Sequence, residues 1–290
     1  MMNKNKKSVG VVGNGFVGSA VAHGFTTFNE VRVYDLNPKK RTHDLKSVLL
    51  NSDFVFVCLP TPMTSAEGGR ADLSITYDFF KDFLKFKERK QNQIFIIKST
   101  VPVGTTRDLV EKFNLRIVHC PEFLTARTAK SDFICSSRNI VGCIDKKAGD
   151  EVKKLLSERL PGTPVQVVSP EESELIKYAM NCFFSTKIMF FNMLKELSDE
   201  MNLNWDAVIE GIMSDGRVGQ SHFQVPGWDG EKGFGGGCFP KDINAMIKTM
   251  QDHGVSSNLL QVVWDENKRI RENWDWAEMK SAVSNLENEN

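Results

Sequence analysis

The sequence predicts an α/β fold in two parts. A doubly wound, mostly parallel sheet occupies residues 1–169, and an all-helical region on one long central helix occupies residues 170–290. Three observations predict this. Short β-rich runs alternate with helical segments from Ser8 to Val168, the order that gives parallel strands joined by helical crossovers. The β-rich runs stop at Pro170. From residue 171 to 202, apolar residues recur at three- and four-residue steps, the spacing of one helix face.

Residues 8–12 form the first strand and run into Gly13-Asn14-Gly15-Phe16-Val17-Gly18; residues 19–26 read as helix, and residues 31–34 as a second strand ending in Asp35. A strand, a GxGxxG turn, a helix and a strand closing on an acid make the dinucleotide fingerprint of a Rossmann-like sheet. Gly13 permits the tight turn, Gly15 lets the backbone reach a pyrophosphate, and Gly18 lets helix and strand pack closely. Asn14, Phe16 and Val17 complete a loop that sets phosphates on the helix N-terminus. Asp35 is placed to accept hydrogen bonds from the adenosine ribose, and an acid there disfavours a 2′-phosphate, so NAD is expected rather than NADP. The alternative is a structural turn without a phosphate.

Residues 53–59 are a strand stopping at Pro60-Thr61-Pro62, and residues 72–89 carry a helical pattern. Residues 93–98 are a strand ending at Ser99-Thr100-Val101-Pro102, and residues 105–113 are helical. Residues 116–120 are a strand ending at Pro121-Glu122. Ligands of such sheets bind beyond the carboxyl ends of the strands. Thr61, Thr100 and Glu122 all fall there; each alone could be a turn or capping residue, and their shared rim makes them candidates. A strand at 136–143, a charged helix at 146–159 and a short strand at 164–168 complete the sheet.

The pattern at 171–202 is too long for an ordinary helix, so a central helix or a kinked pair is expected. Lys177 and Asn181 share one face of it. If that face meets the strand rim, they offer a fixed positive charge and a neutral donor, which is what an oxyanion needs; otherwise they are solvated. Residues 205–213 are a short helix, and residues 214–232 are polar and glycine-rich, with Arg217. Then Gly233-Phe234-Gly235-Gly236-Gly237-Cys238-Phe239-Pro240-Lys241-Asp242 delivers a cysteine on a flexible backbone. At the start of a helix the dipole favours a thiolate, and Asp242 one turn on is a potential base beside a nucleophile. The alternative is an inert buried cysteine in a tight loop. Residues 242–251 and 256–279 are helical, and residues 281–290 read as a frayed end.

Composition excludes little but points one way. The hydrophobic fraction is 41% and the charged fraction 26%, as in ordinary soluble globular chains. Lys+Arg and Asp+Glu both total 37, so there is no electrostatic case for nucleic acid or an anionic membrane. The basic run at residues 4–7 sits in a polar tip with no signal-peptide apolar segment behind it. No stretch reaches the ~18 apolar residues of a spanning helix. Six cysteines show no CxxC pair and no zinc spacing, so reduced thiols, no metal site and a cytoplasmic location are expected.

Taken together, six segments resemble the UDP-glucose/GDP-mannose dehydrogenase family: residues 13–18, 57–62 (Val-Cys-Leu-Pro-Thr-Pro), 98–104 (Lys-Ser-Thr-Val-Pro-Val-Gly), 121–124 (Pro-Glu-Phe-Leu), 174–181 (Glu-Leu-Ile-Lys-Tyr-Ala-Met-Asn) and 233–242. The resemblance implies a four-electron oxidation at C6 of a nucleotide sugar, UDP-glucose favoured, with two NAD taking up hydrides in turn. It implies that Cys238 holds a thiohemiacetal and then a thioester. Lys177 and Asn181 would stabilise oxyanions, Asp242 and Thr100 would hold a water, and Glu122 would act as general base in hydrolysis. Thr61 and Thr100 would touch the cofactor. Phe123, Leu124, Lys177, Asn181, Phe234, Gly235 and Gly236 would line the substrate. Arg217 matches an arginine that reaches the neighbouring subunit's substrate, and the long helix would form a homodimer. Two departures stand out. The family carries a second glutamate where this chain has Ala126, and it continues into a C-terminal UDP-binding domain, of which this sequence, read as a short form, has no counterpart. A single-hydride β-hydroxyacid dehydrogenase of the 6-phosphogluconate-dehydrogenase type shares the layout without needing the cysteine. A nucleotide-binding remnant without turnover is the non-enzymatic alternative.

Overall fold

The computed structural model describes residues 6–88 and 90–284. Residues 4 and 5 of the basic tip, Arg89 at the predicted helix end and residues 285–290 of the predicted frayed terminus lie outside the described residues. Two compact units are present: Met1–Thr61 with Leu73–Lys177, and Pro62–Asp72 with Tyr178–Asn290. The division therefore falls inside the long helix rather than at residue 169, and a short excursion after the third strand belongs to the second unit.

In the first unit the elements run β1 (Ser8–Val12), α1 (Phe16–Thr26), β2 (Glu30–Tyr34), α2 (Leu45–Asn51), β3 (Phe54–Val57), α3 (Ser74–Phe83), β4 (Ile94–Ile97), α4 (Thr105–Phe113), β5 (Ile117–His119), α5 (Ala129–Ile134), β6 (Asn139–Cys143), α6 (Lys146–Arg159) and β7 (Val165–Val168). The strands form one seven-stranded sheet in the order β2-β1-β3-β4-β5-β6-β7. Every pairing is parallel except β5 with β6, which is antiparallel. Side chains alternate faces along a strand, and the core divides accordingly. Val9, Val11, Phe54, Phe56, Ile94 and Ile96 pack with α1, α5 and α6 on one face. Val12, Val55, Val57, Phe95 and Ile97 pack with α2, α3 and α4 on the other. This is the doubly wound arrangement that the alternation predicts.

Helix α7 (Pro170–Glu200) is a single element of 31 residues. Ser169 and Glu172 start it with a reciprocal capping box: the Ser169 N–H and hydroxyl donate to the Glu172 carboxylate, and the Glu172 N–H donates to Ser169 Oγ. Pro170 sits where a missing N–H costs nothing. In the second unit α7 is followed by α8 (Trp205–Met213), α9 (Phe239–Asp252) and α10 (Asn258–Ile270), then a 3-10 turn at Asp275–Glu278. The 62–72 excursion is tied into this unit's core. Met63 is fully buried and bridges Ala71 and Val283, and the indoles of Trp276 and Trp264 donate to the carbonyls of Ala66 and Glu67.

Two helix ends differ from expectation. α3 stops at Phe83, where the C-cap Leu84 turns its N–H onto the Phe80 and Asp82 carbonyls. The 256–279 helix stops at Ile270, where Arg271 turns extended. Its guanidinium is drawn instead into four contacts described below. Among the described residues no helix is long and apolar enough to cross a membrane, and no group of three or more His, Cys, Asp and Glu is arranged to hold a metal.

Candidate active site

The chemistry-bearing residues fall into two sets, one in each unit. The first begins at the β1–α1 turn. Gly13 has φ +88°, and a Cβ on Gly18 would lie 1.8 Å from the Gly13 carbonyl oxygen, so that pair tolerates no side chain. A Cβ on Gly15 would meet nothing within 4 Å. Gly15 is also the N-cap of α1, with no side-chain cap and no acid in the first turn, which leaves its N–H groups to an outside anion. The buried Asn14 Oδ1 has no hydrogen-bond partner among the described residues. Asp35 accepts from the backbone N–H of Asn14 at 2.7 Å and of Asn37 at 2.8 Å, so its carboxylate is fixed at the end of β2 with lone pairs left for ribose hydroxyls. These features fit a dinucleotide, whose bound nicotinamide would supply the hydride acceptor. Phe16 and Val17 follow in the first turn of α1.

Around the other strand ends, Thr61 donates its hydroxyl to the Thr100 carbonyl at 2.7 Å, and both residues are buried. Glu122 and Lys177 form a buried ion pair at 3.0 Å. The second Glu122 oxygen accepts from the Leu124 N–H, and the Lys177 ammonium lies 5.5 Å from the Phe123 ring centroid. Buried Lys98 donates to the Pro121 carbonyl at 3.0 Å, bracing the segment that carries Glu122. His119 is not a proton shuttle: burial pushes its pKa down to about 3, and Nδ1 lies 2.9 Å from Ser173 Oγ. Burial likewise pushes the Cys58 thiol up to about 12, against the pull of Lys98.

The second set centres on Cys238, a half-buried thiol at the N-cap of α9. Its carbonyl accepts the Asp242 N–H at 3.0 Å. Asp242 is buried and receives both Lys241 Nζ at 2.5 Å and Asn181 Nδ2 at 2.6 Å. The aspartate is thus a charge held by two donors, and Asn181 is oriented by it. Cys182, by contrast, is held as a thiol by burial, aided by the nearby Asp242 charge.

Four residues that the sequence does not mark hold the glycine loop. Asn192 accepts the Gly233 N–H, and Asn267 both accepts the Phe234 N–H and donates to the Phe234 carbonyl. Asp275 accepts the Gly236 N–H, and Arg271 donates to Asp275, Asp229 and the carbonyls of Lys232 and Asn273. Gly235 is required here, since a Cβ would lie 2.3 Å from both Arg271 and Asp275. Phe234, expected at the substrate, is placed as follows. Its side chain is 2% exposed in the core with Trp264, and both its backbone groups are taken by Asn267. Arg217 is not drawn to this loop; its side chain is 91% exposed and paired with Asp215. Nothing local distinguishes Asn192, Asn267, Arg271 or Asp275 from solvated helix residues; only the tertiary fold brings them to the loop.

A dinucleotide-binding sheet followed by a helical unit with a cysteine loop defines an NAD-binding dehydrogenase architecture. Residues 37–159 match the NAD binding domain of the UDP-glucose/GDP-mannose dehydrogenase family, and residues 171–269 match its central domain. The chain belongs to this family. The UDP-glucose 6-dehydrogenase of Rhizobium meliloti is 35% identical over 244 residues, covering 79% of this chain and 53% of that protein. The Rickettsia felis enzyme of the same name is 31% identical over 242 residues, covering 81% and 52%. The chain thus spans about half the length of these relatives. A UDP-glucose dehydrogenase structure from Pyrobaculum islandicum aligns with a TM-score of 0.79 at 25% identity, over 93% of this chain and 69% of that one. Mycobacterium tuberculosis 3-hydroxyisobutyrate dehydrogenase aligns with a TM-score of 0.70 over 91% of this chain and 94% of its own, at 14% identity, a likeness of fold.

Proposed function

We propose that the chain oxidises a nucleotide sugar at C6 in two NAD-dependent steps, with UDP-glucose the favoured substrate. The observation that carries the reading is Cys238 at the start of α9, one turn before an Asp242 already held by Lys241 and Asn181. The C6 alcohol loses a hydride and a proton to give an aldehyde. The Cys238 thiolate adds to it, and the new alkoxide is held by Lys177 and by the Asn181 amide. Loss of a second hydride turns the thiohemiacetal into a thioester. Glu122, paired with Lys177, takes the proton of the attacking water, and hydrolysis releases the carboxylate and regenerates the thiol. Asp242 and Thr100 position that water. The covalent stage keeps the aldehyde from escaping. Arg217 serves the partner's substrate in a homodimer.

The likeness to 3-hydroxyisobutyrate dehydrogenase supports a second reading, one hydride from a β-hydroxyacid without a thiol. Counting NADH per product separates them. Purified protein tested against UDP-glucose, GDP-mannose and UDP-N-acetylmannosamine is expected to give two NADH per UDP-glucose. Cys238→Ser should lower the rate by roughly 10³-fold or more, the scale of nucleophile removal. One NADH per substrate, unaffected by Cys238→Ser, would sink the thiol mechanism. NAD binding with no turnover on any of the three would instead mean a binding protein.

A further inference from the structure

We propose that the cavity walled by residues 121–124 and 136–139 binds a small inorganic anion of halide size, held by Lys98, Arg138, Ser136 and Asn139. The cavity lies in the first unit. Lys98 follows β4, Pro121 and Glu122 follow β5, and residues 136–139 lead into β6. These three strands are neighbours in the sheet. Because β6 runs antiparallel to β5, its start lies beside the end of β5, so segments distant in the chain wall one space. No step of the oxidation chemistry above uses this site.

The cavity holds more positive charge than the chain balances. Lys98 is 3% exposed. Its ammonium donates to the Pro121 carbonyl at 3.0 Å, lies 3.7 Å from Cys120 Sγ, and is in no ion pair among the described residues. Arg138 is half-buried, with its guanidinium carbon 4.7 Å from the Phe123 ring centroid, and is in no ion pair among the described residues either. The acid on the wall, Glu122, is taken by Lys177 at 3.0 Å and by the Leu124 N–H. Of the titratable groups that feel Lys98, burial keeps the Cys58 thiol protonated and His119 neutral. Two cations thus share one cavity without a carboxylate of their own. A charge withdrawn from water destabilises the fold unless a counter-charge meets it, and an anion from solution supplies one.

The neutral groups of the wall agree. Asn139 is 6% exposed, and its Nδ2 has no hydrogen-bond partner among the described residues; nor has the buried Ser136 hydroxyl. An amide N–H, a hydroxyl, an ammonium and a guanidinium all offer protons, so the occupant they suit is an acceptor. The two cations favour a charged acceptor over water. Size sets which anion. The cavity is about 30 Å³, and one water needs about 10–15 Å³. That admits a chloride or bromide ion and is tight for a tetrahedral sulfate or phosphate. An anion there offsets Lys98 and Arg138 and leaves the Glu122–Lys177 pair to itself.

Thermal unfolding of the purified chain tests this without turnover. With ionic strength held by sodium gluconate, raising chloride from about 1 to about 100 mM should raise the Tm by about 3 °C, the shift expected when the upper concentration is about ten times Kd. Arg138→Gln should abolish this chloride response, and Arg138→Lys, which keeps a cation, should retain most of it. Ser136→Val, which fills the cavity, should abolish it too. The response to chloride is compared, so a variant's own lower Tm does not enter. In crystals grown with sodium bromide, an anomalous peak should lie in the cavity beside Lys98 and Arg138. A chloride response equal in the wild type and Arg138→Gln overturns the proposal, and so does a cavity without bromide. An equal response to sulfate, also lost in Arg138→Gln, overturns the halide assignment. Every readout is made without substrate, so this site and the oxidation chemistry fail separately.

Discussion

We propose that Asp35 carries two duties at one carboxylate. Its oxygens accept the N–H groups of Asn14 and Asn37, which fixes the glycine turn, and its remaining lone pairs would take the ribose hydroxyls. Hydrogen bonds to a charged group are worth about 1.5–3 kcal/mol. Asp35→Ala should therefore raise the KM for NAD at least tenfold and reduce discrimination against NADP, because the negative charge facing a 2′-phosphate is gone. Steady-state kinetics with both cofactors checks this, and unchanged kcat/KM for each refutes the role. At this scale the sequence is most legible where motif and neighbour lie close together, as in the glycine turn of residues 13–18, whose tight backbone the structure shows. It was read worst where a partner is distant in the chain. Asn267 grips Phe234 from 33 residues away and Asp275 grips Gly236 from 39, and no spacing rule links them. The neighbour of Phe234 is likewise distant in the chain: its ring packs against Trp264.

At the level of elements, α7 organises α4 as well as itself. Glu174, buried in the second turn of α7, accepts the N–H groups of Gly104 at 2.6 Å and Thr106 at 2.8 Å, and so caps the N-terminus of α4. Burial raises its pKa to about 7 despite these bonds. The folded chain then binds a proton here that the unfolded chain, near the ordinary 4.5, has already lost. Between those two pH values the folded state holds more protons, so stability falls as pH rises and levels off above about 7. Glu174→Gln removes this slope. The stability of the wild type relative to the variant should decline across that window by on the order of 1–3 kcal/mol, measured by urea unfolding at several pH values. A difference independent of pH would show that Glu174 titrates normally. The elements themselves were largely legible: α4, α6 and α8 fall on the predicted residues, because each carries a clean period and a start signal. The short helices α2 and α5, of 7 and 6 residues, are too brief to show a period; tertiary packing holds them, α2 on β1 and β2 and α5 on α1. The reversed β6 is set by pairing that no local pattern encodes.

For the whole molecule, the open matter is what covers the outer face of α7. Phe183, Phe190, Met193, Leu197 and Met201 are each half or more exposed, and their steps of seven, three, four and four place them on one stripe. The opposite face of the same helix carries the buried Cys182, Ser185, Met189 and Asn192. Four large apolar side chains along one helix, with Met201 just past its end, exceed the scattered exposure of an ordinary surface. A second copy, packed across a two-fold axis, would meet the same stripe and bury it against itself. We propose this homodimer as the working form. Phe190→Glu combined with Leu197→Glu places two carboxylates per chain in the seam. Each costs several kcal/mol to desolvate without a partner, so dimer affinity should fall by roughly 100-fold or more. Sedimentation equilibrium at micromolar concentration should then give a dimer for the wild type and a single chain for the variant. If Arg217 acts across the interface, the separated chain should also show a raised KM for the nucleotide sugar, matched by Arg217→Ala in the intact dimer. A wild type that sediments as a single chain would remove the dimer and, with it, any role for Arg217 in the partner's site.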